Sequence, residues 1–152
     1  MKFMMNGALT VGTYDGANIE ILEAVGADNF FLFGLNAEEV ADLRGKYRPL
    51  DYVVADEDLQ QVVHLLRSGH LNAIEPGIFD DVINAMFNPD DPWLTFADFR
   101  SYIDAQKEVS TLWQDQQSWT RKSILNTGSS GFFSTDRTME EYNRDIWKLQ
   151  AL

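Results

Sequence analysis

The sequence predicts an α/β chain: a small parallel sheet near the start, followed by a mostly helical remainder. Three observations carry this. A β-branched apolar run and a second apolar run of aromatic residues bracket one amphipathic stretch, glycines punctuate all three, and everything later repeats its apolar residues at helical spacing.

The first run, Ala8-Leu9-Thr10-Val11-Gly12-Thr13, stops at the turn residues Asp15-Gly16 and reads as a buried strand. A helix follows over 17–25, with Ile19, Ile21, Leu22 and Val25 on one face and Gly26 free to take the left-handed conformation that ends it. Phe30-Phe31-Leu32-Phe33 forms the second strand, closed by Gly34. A strand, helix, strand order implies parallel pairing and a right-handed crossover, so residues 1–35 are one β-α-β segment. Residues 36–152 form the helical portion. Asn36 with Glu39 three positions on resembles a capping box, and Asp56 can cap a helix whose face is Leu59, Val62, Val63 and Leu66. Phe79, Val82, Ile83 and Met86 predict a further helix. Proline cannot continue a helix, so Asn88-Pro89-Asp90-Asp91-Pro92 reads as an acidic surface loop. Phe99, Tyr102, Ile103 and Leu112 mark a longer helix; Trp119 to Leu125 mark another, closed by a flexible Gly128-Ser129-Ser130-Gly131. Met139, Tyr142, Ile146 and Leu149 predict a terminal helix, amphipathic over about three turns.

Composition narrows the function. The chain has 152 residues, 45% of them hydrophobic, enough for the core of one domain or part of one. Its 24 acidic residues against 12 basic give a formal charge of -12, which makes a nucleic-acid backbone a poor partner. No apolar run approaches the roughly 18 residues of a membrane span, and no leader pattern is present, so a soluble, cytoplasmic protein is expected. The absence of cysteine removes disulfides, thiolate metal sites and a cysteine nucleophile together.

Most candidate motifs reduce to ordinary structure. Gly7, Gly12 and Gly16 match neither the dinucleotide fingerprint nor a Walker loop and read as packing and turn glycines. His64 and His70 lack the spacing of a zinc pair, and Asp56-Glu57-Asp58, Asp80-Asp81 and Asp90-Asp91 lack the order of a calcium loop, so no metal site is expected. Asp15-Gly16 is a turn first and, second, a candidate for lining an interdomain cleft. The four tryptophans, Trp93, Trp113, Trp119 and Trp147, sit in helical segments and are expected to pack in the core or at an interface.

The run Met1-Lys2-Phe3-Met4-Met5-Asn6-Gly7-Ala8-Leu9-Thr10-Val11-Gly12-Thr13-Tyr14-Asp15-Gly16-Ala17-Asn18-Ile19-Glu20 resembles the cofactor-lysine segment of the α-glucan (glycogen, maltodextrin) phosphorylases, with like-for-like changes such as Met5, Val11, Tyr14 and Ile19. Phe30 to Gly34, Trp119-Thr120-Arg121, Phe133-Ser134-Thr135-Asp136-Arg137-Thr138 and Ile146-Trp147 resemble later landmarks of the same C-terminus. The resemblance implies a C-terminal piece of a phosphorylase, part of a Rossmann-like domain of the GT-B type. It further implies that Lys2 is the lysine that bonds pyridoxal 5'-phosphate, and that the parent enzyme uses inorganic phosphate to release glucose 1-phosphate from an α-1,4-glucan. No other residue is assigned to the site, and none is assigned as catalytic. The family's glycine-rich turn and basic phosphate-holding residues precede this lysine, so the chain by itself is expected to be inactive. A truncated apolar surface, including Trp147 and the face of Met139, Tyr142 and Ile146, is expected to favour a homo-oligomer. Two alternatives stay open: a noncatalytic module that binds a protein partner, and a protein that captures pyridoxal phosphate without catalysis.

Overall fold

The computed structural model describes residues 1–150. They divide into two compact units, one built from 1–12, 16–32 and the described residues from 108 on, the other from 13–15 and 33–107.

The first unit holds the sheet. Strand β1 (Thr10–Gly12) pairs in parallel with β2 (Phe30–Leu32), Val11 opposite Phe31. The expected β-α-β connection is present, its crossover being α2 (Ala17–Val25) followed by a 3-10 turn at Ala27–Asn29. Both strands are shorter than their apolar runs. Gly26 ends α2 at φ 82° and ψ 151°, extended rather than left-handed helical, a combination open to glycine alone. Ahead of the sheet lies a one-turn helix, α1 (Lys2–Met5), which no apolar period or cap marks in the sequence. Its Met4 is 2% exposed and packs with Ile21, Val25 and Phe30.

Helices α8 (Gln116–Ser129) and α9 (Thr135–Tyr142) complete this unit. The expected glycine-serine loop is instead the end of α8 and a 3-10 turn at Ser130–Phe133. Tertiary bonds override propensity here: Asn126 is fully buried and its amide nitrogen donates to the carbonyls of Asn29 and Lys122, both at 3.0 Å. The terminal helix is also shorter than expected. After Tyr142 the chain takes a π-helical turn, Asn143–Trp147, and stops at Lys148 with φ 55°. Asn143 secures that end, its side chain exchanging two hydrogen bonds with the backbone of Leu149.

The second unit is helical: α3 (Ala37–Leu43), α4 (Pro49–Ala55), α5 (Glu57–Arg67), α6 (Asp80–Met86) and the N-terminal part of α7 (Thr95–Gln114). Caps fix the helix starts. Asn36 accepts the amides of Glu38 and Glu39 at 2.9 and 3.0 Å, and the Glu39 carboxylate accepts the Asn36 amide at 2.8 Å, completing the expected box. Asp56 accepts the Leu59 amide at 3.0 Å and takes two hydrogen bonds from Arg100, whose guanidinium also reaches Asp58. Those side-chain bonds from Arg100 hold the Asp56 carboxyl below the usual range, and the two carboxylates raise Arg100. Around them Tyr47, Val53, Leu59, Val63, Leu94 and Phe96 form the core.

Burial corrects several expectations. Val62 and Val82 sit at helical spacing with buried residues but are 43% and 52% exposed, whereas Leu59, Val63 and Ile83 are buried and Met86 packs against the core. Asp91 is buried, not solvated, and ties down the turn before α7 by accepting the amides of Trp93 and Thr95. None of the tryptophans is a core residue: Trp93, Trp113 and Trp147 are exposed and Trp119 is half-buried, with Trp113 and Trp119 meeting edge to face at 4.8 Å. Their helical spacing located them on elements without saying which face those elements bury.

Candidate functional site

Lys2 is the first residue of α1 and is exposed, as are Phe3 and Met5 beside it. Its carbonyl accepts the side-chain amide of Asn6 at 2.7 Å, and the turn closes through backbone bonds from Asn6 and Ala8 to Phe3 and from Gly7 to Met4. Gly7 adopts φ 82°, and a Cβ there would stand 2.6 Å from Ser123 Oγ, so the segment turns where α8 comes closest. At Gly12 a Cβ would meet Asn18 at 2.7 Å. These are the packing glycines the sequence suggested, and Gly16, at φ 46° with open space around it, is the turn glycine.

The other sequence candidates lie elsewhere. His64 is exposed on α5 and His70 is exposed beyond it. Among the described residues no group of three His, Cys, Asp or Glu side chains could hold a metal ion, and no helix is long and apolar enough to cross a membrane. Asp15 lines a cleft of about 770 Å³ within the second unit, together with Tyr14, Arg44, Trp93, Asp98 and Tyr102. Burial pushes the Asp98 carboxyl up even though it accepts the Leu35 amide at 2.9 Å, and the charges of Asp15 and Glu39 add to that rise. Sequence reasoning missed this cleft because its walls come from segments far apart in the chain.

A family model described as carbohydrate phosphorylase matches residues 1–149. The chain belongs to the carbohydrate phosphorylase family. It is 47% identical over 153 aligned positions to a glycogen phosphorylase of Synechocystis sp., a match covering 100% of this chain. It is likewise 47% identical to the brain form of glycogen phosphorylase from Ovis aries over 97% of the chain, and 43% identical to the muscle form from Homo sapiens over 99%. The chain spans 17–18% of the length of these relatives.

Glycogen phosphorylases use pyridoxal phosphate. Tested against that group, the segment fits at one end. Lys2 offers a solvent-reachable primary amine, with no ion pair or side-chain hydrogen bond to it among the described residues. A phosphate dianion requires cations or convergent amides. Residues 1–20 contain no basic side chain but Lys2, so this segment supplies the amine and no charged holder for the phosphate.

Proposed function

We propose that the chain is the cofactor-lysine segment of an α-1,4-glucan phosphorylase, acting in the cytoplasm as part of a larger polypeptide, with Lys2 as the residue that bonds pyridoxal phosphate. The family match across 1–149 carries this reading, and buried Met4 anchors the turn on which Lys2 stands. The β-α-β segment is read as the end of a Rossmann-like sheet in a domain of the GT-B type, with residues 36–152 its helical portion. In the whole enzyme Lys2 would hold the cofactor, whose phosphate would supply acid-base chemistry for the release of glucose 1-phosphate from the glucan. This chain's own part is to hold the amine of Lys2 in place.

Residues 1–20 carry no basic side chain but Lys2 to hold a phosphate, and positioning supplies much of a phosphorylase's rate. The purified chain is therefore expected to form no glucose 1-phosphate from glycogen and phosphate; product above a no-protein control would overturn this. Mixed with the polypeptide that precedes the matching region in the Synechocystis relative, the chain should restore product formation and Lys2→Ala should not. Equal restoration by Lys2→Ala would refute the assignment of Lys2.

A second reading, self-association, rests on an apolar surface. Met139, Tyr142, Ile146, Trp147 and Leu149 are each at least 43% exposed in the first unit. Repulsion from the net charge of -12 is screened over roughly 8 Å at physiological salt, whereas apolar burial at about 25 cal/mol per Å² is not. Sedimentation equilibrium is expected to show a dimer or larger species that weakens in Trp147→Ser. A single 17.3 kDa species at high concentration would count against it.

A further inference from the structure

We infer that α8 is the positioning element for Lys2: a polar row on this helix, Lys122, Ser123, Asn126 and Thr127, clamps the lysine-bearing turn to the turn that precedes β2. The inference rests on the reading of Lys2 as the cofactor lysine and adds to it the residues that set where that lysine stands.

Positions 122, 123, 126 and 127 share one face of a helix with 3.6 residues per turn. Serine, asparagine and threonine are weak helix formers, prone to bond neighbouring backbone, so three of them on one face call for an outside partner. Each has one. Ser123 Oγ donates to the Gly7 carbonyl at 2.7 Å and Thr127 Oγ1 to the Met4 carbonyl at 3.3 Å, across 116 and 123 positions of sequence. Asn126 donates to the Asn29 carbonyl and Lys122 Nζ to that of Asp28. Two bonds therefore grip the turn carrying Lys2, and two grip the residues leading into β2.

The one-turn helix α1 is closed by bonds within residues 1–8, which do not fix it against the rest of the unit. A single turn fixes several dihedrals for little hydrogen-bond return, and Met1 provides no side-chain cap. Met4, 2% exposed, pins the turn by apolar contact, but one flexible methionine leaves its rotation unspecified. The hydroxyls of Ser123 and Thr127 supply the direction, and the absence of a side chain at Gly7 lets Ser123 approach the backbone. Lysine carries several rotatable bonds, so a defined amine position begins with a fixed Cα. Displacement of a reacting group by about 1 Å can cost about a hundredfold in rate.

The sequence holds no cysteine, so Lys2→Cys gives a unique site for a nitroxide label on the full chain. With α8 intact, the label is expected to report an ordered helix and the amides of residues 5–8 to exchange slowly. Adding Ser123→Ala and Thr127→Val should narrow the spectrum toward free tumbling and speed exchange at residues 5–8 by about tenfold or more, while residues 21–25 of α2 keep their rates. In the Thr127→Val background, Ser123→Thr should restore much of the order by returning a hydroxyl. An unchanged spectrum with unchanged exchange at residues 5–8 would overturn the positioning role, and so would an equal rise throughout α2, which marks general loosening. The cofactor assignment is read separately. If Lys2→Ala restores product in the mixing experiment, that assignment fails and takes the positioning role with it, whereas a tight label in the double variant removes the positioning role alone.

Discussion

Leu59→Ala is expected to destabilise the second unit by about 2–5 kcal/mol, and Val62→Ala, three residues along the same helix, by no more than about 0.5 kcal/mol. Leu59 is 2% exposed at the centre of the cluster formed with Tyr47, Val53, Val63, Leu94 and Phe96. Truncating it removes buried methyl groups and leaves a cavity between helices whose positions are already fixed, because Asp56 caps α5 at the Leu59 amide and is itself bonded to Arg100. Val62 is 43% exposed and stands outside that cluster, so its truncation opens no enclosed cavity. Urea midpoints with unchanged slopes would report both effects. Comparable shifts for the two variants would mean that α5 buries a different face from the one described.

The contrast between these neighbours shows how far the sequence could be read. Local chemistry was legible: the box of Asn36 and Glu39, the Asp56 cap and the turn at Asp15-Gly16 follow from interactions within a few residues, and the parallel pairing of two runs twenty positions apart follows from the single helix between them. What depended on distant partners was not. Trp93 and Trp147 were expected in a core or at an interface, and the core half of that expectation fails because both are exposed: burial depends on which element lies opposite, and the spacing of apolar residues does not say. Gly128 to Gly131 looked like a linker, and the bonds of Asn126 and Thr127 to residues roughly a hundred positions earlier make much of it helix. Helix α4 did leave a signal that was passed over, a proline at its first position, where a missing amide proton costs nothing. The site divides in the same way. Lys2 was marked by the resemblance of its neighbours, while the α8 residues that grip its turn have no pattern connecting them to it in sequence.

Tyr47→Phe is expected to cost about 1–3 kcal/mol at neutral pH, and its deficit relative to the unsubstituted chain should shrink as pH rises from 10 to about 12. The first amides of a helix lack partners within it, and at the start of α7 two are met by side chains: Asp91 accepts that of Thr95, and the Tyr47 hydroxyl oxygen accepts that of Phe96 at 3.0 Å. Phe96 is buried, so phenylalanine at position 47 keeps the ring in place but leaves its amide without the hydroxyl acceptor. The pH dependence has the opposite sign. Burial pushes the Tyr47 hydroxyl up to about 12, partly offset by the Phe96 amide it accepts and reinforced by the charge of Asp91. A raised value in the folded chain means that folding favours the protonated hydroxyl. Its contribution is fully present below the unfolded value near 10 and is lost as pH climbs through the folded one. Phenylalanine has no proton to lose. Urea midpoints at pH 8 and pH 11 would then converge, and a gap of the same size at both would show that the buried hydroxyl does not couple folding to alkaline pH.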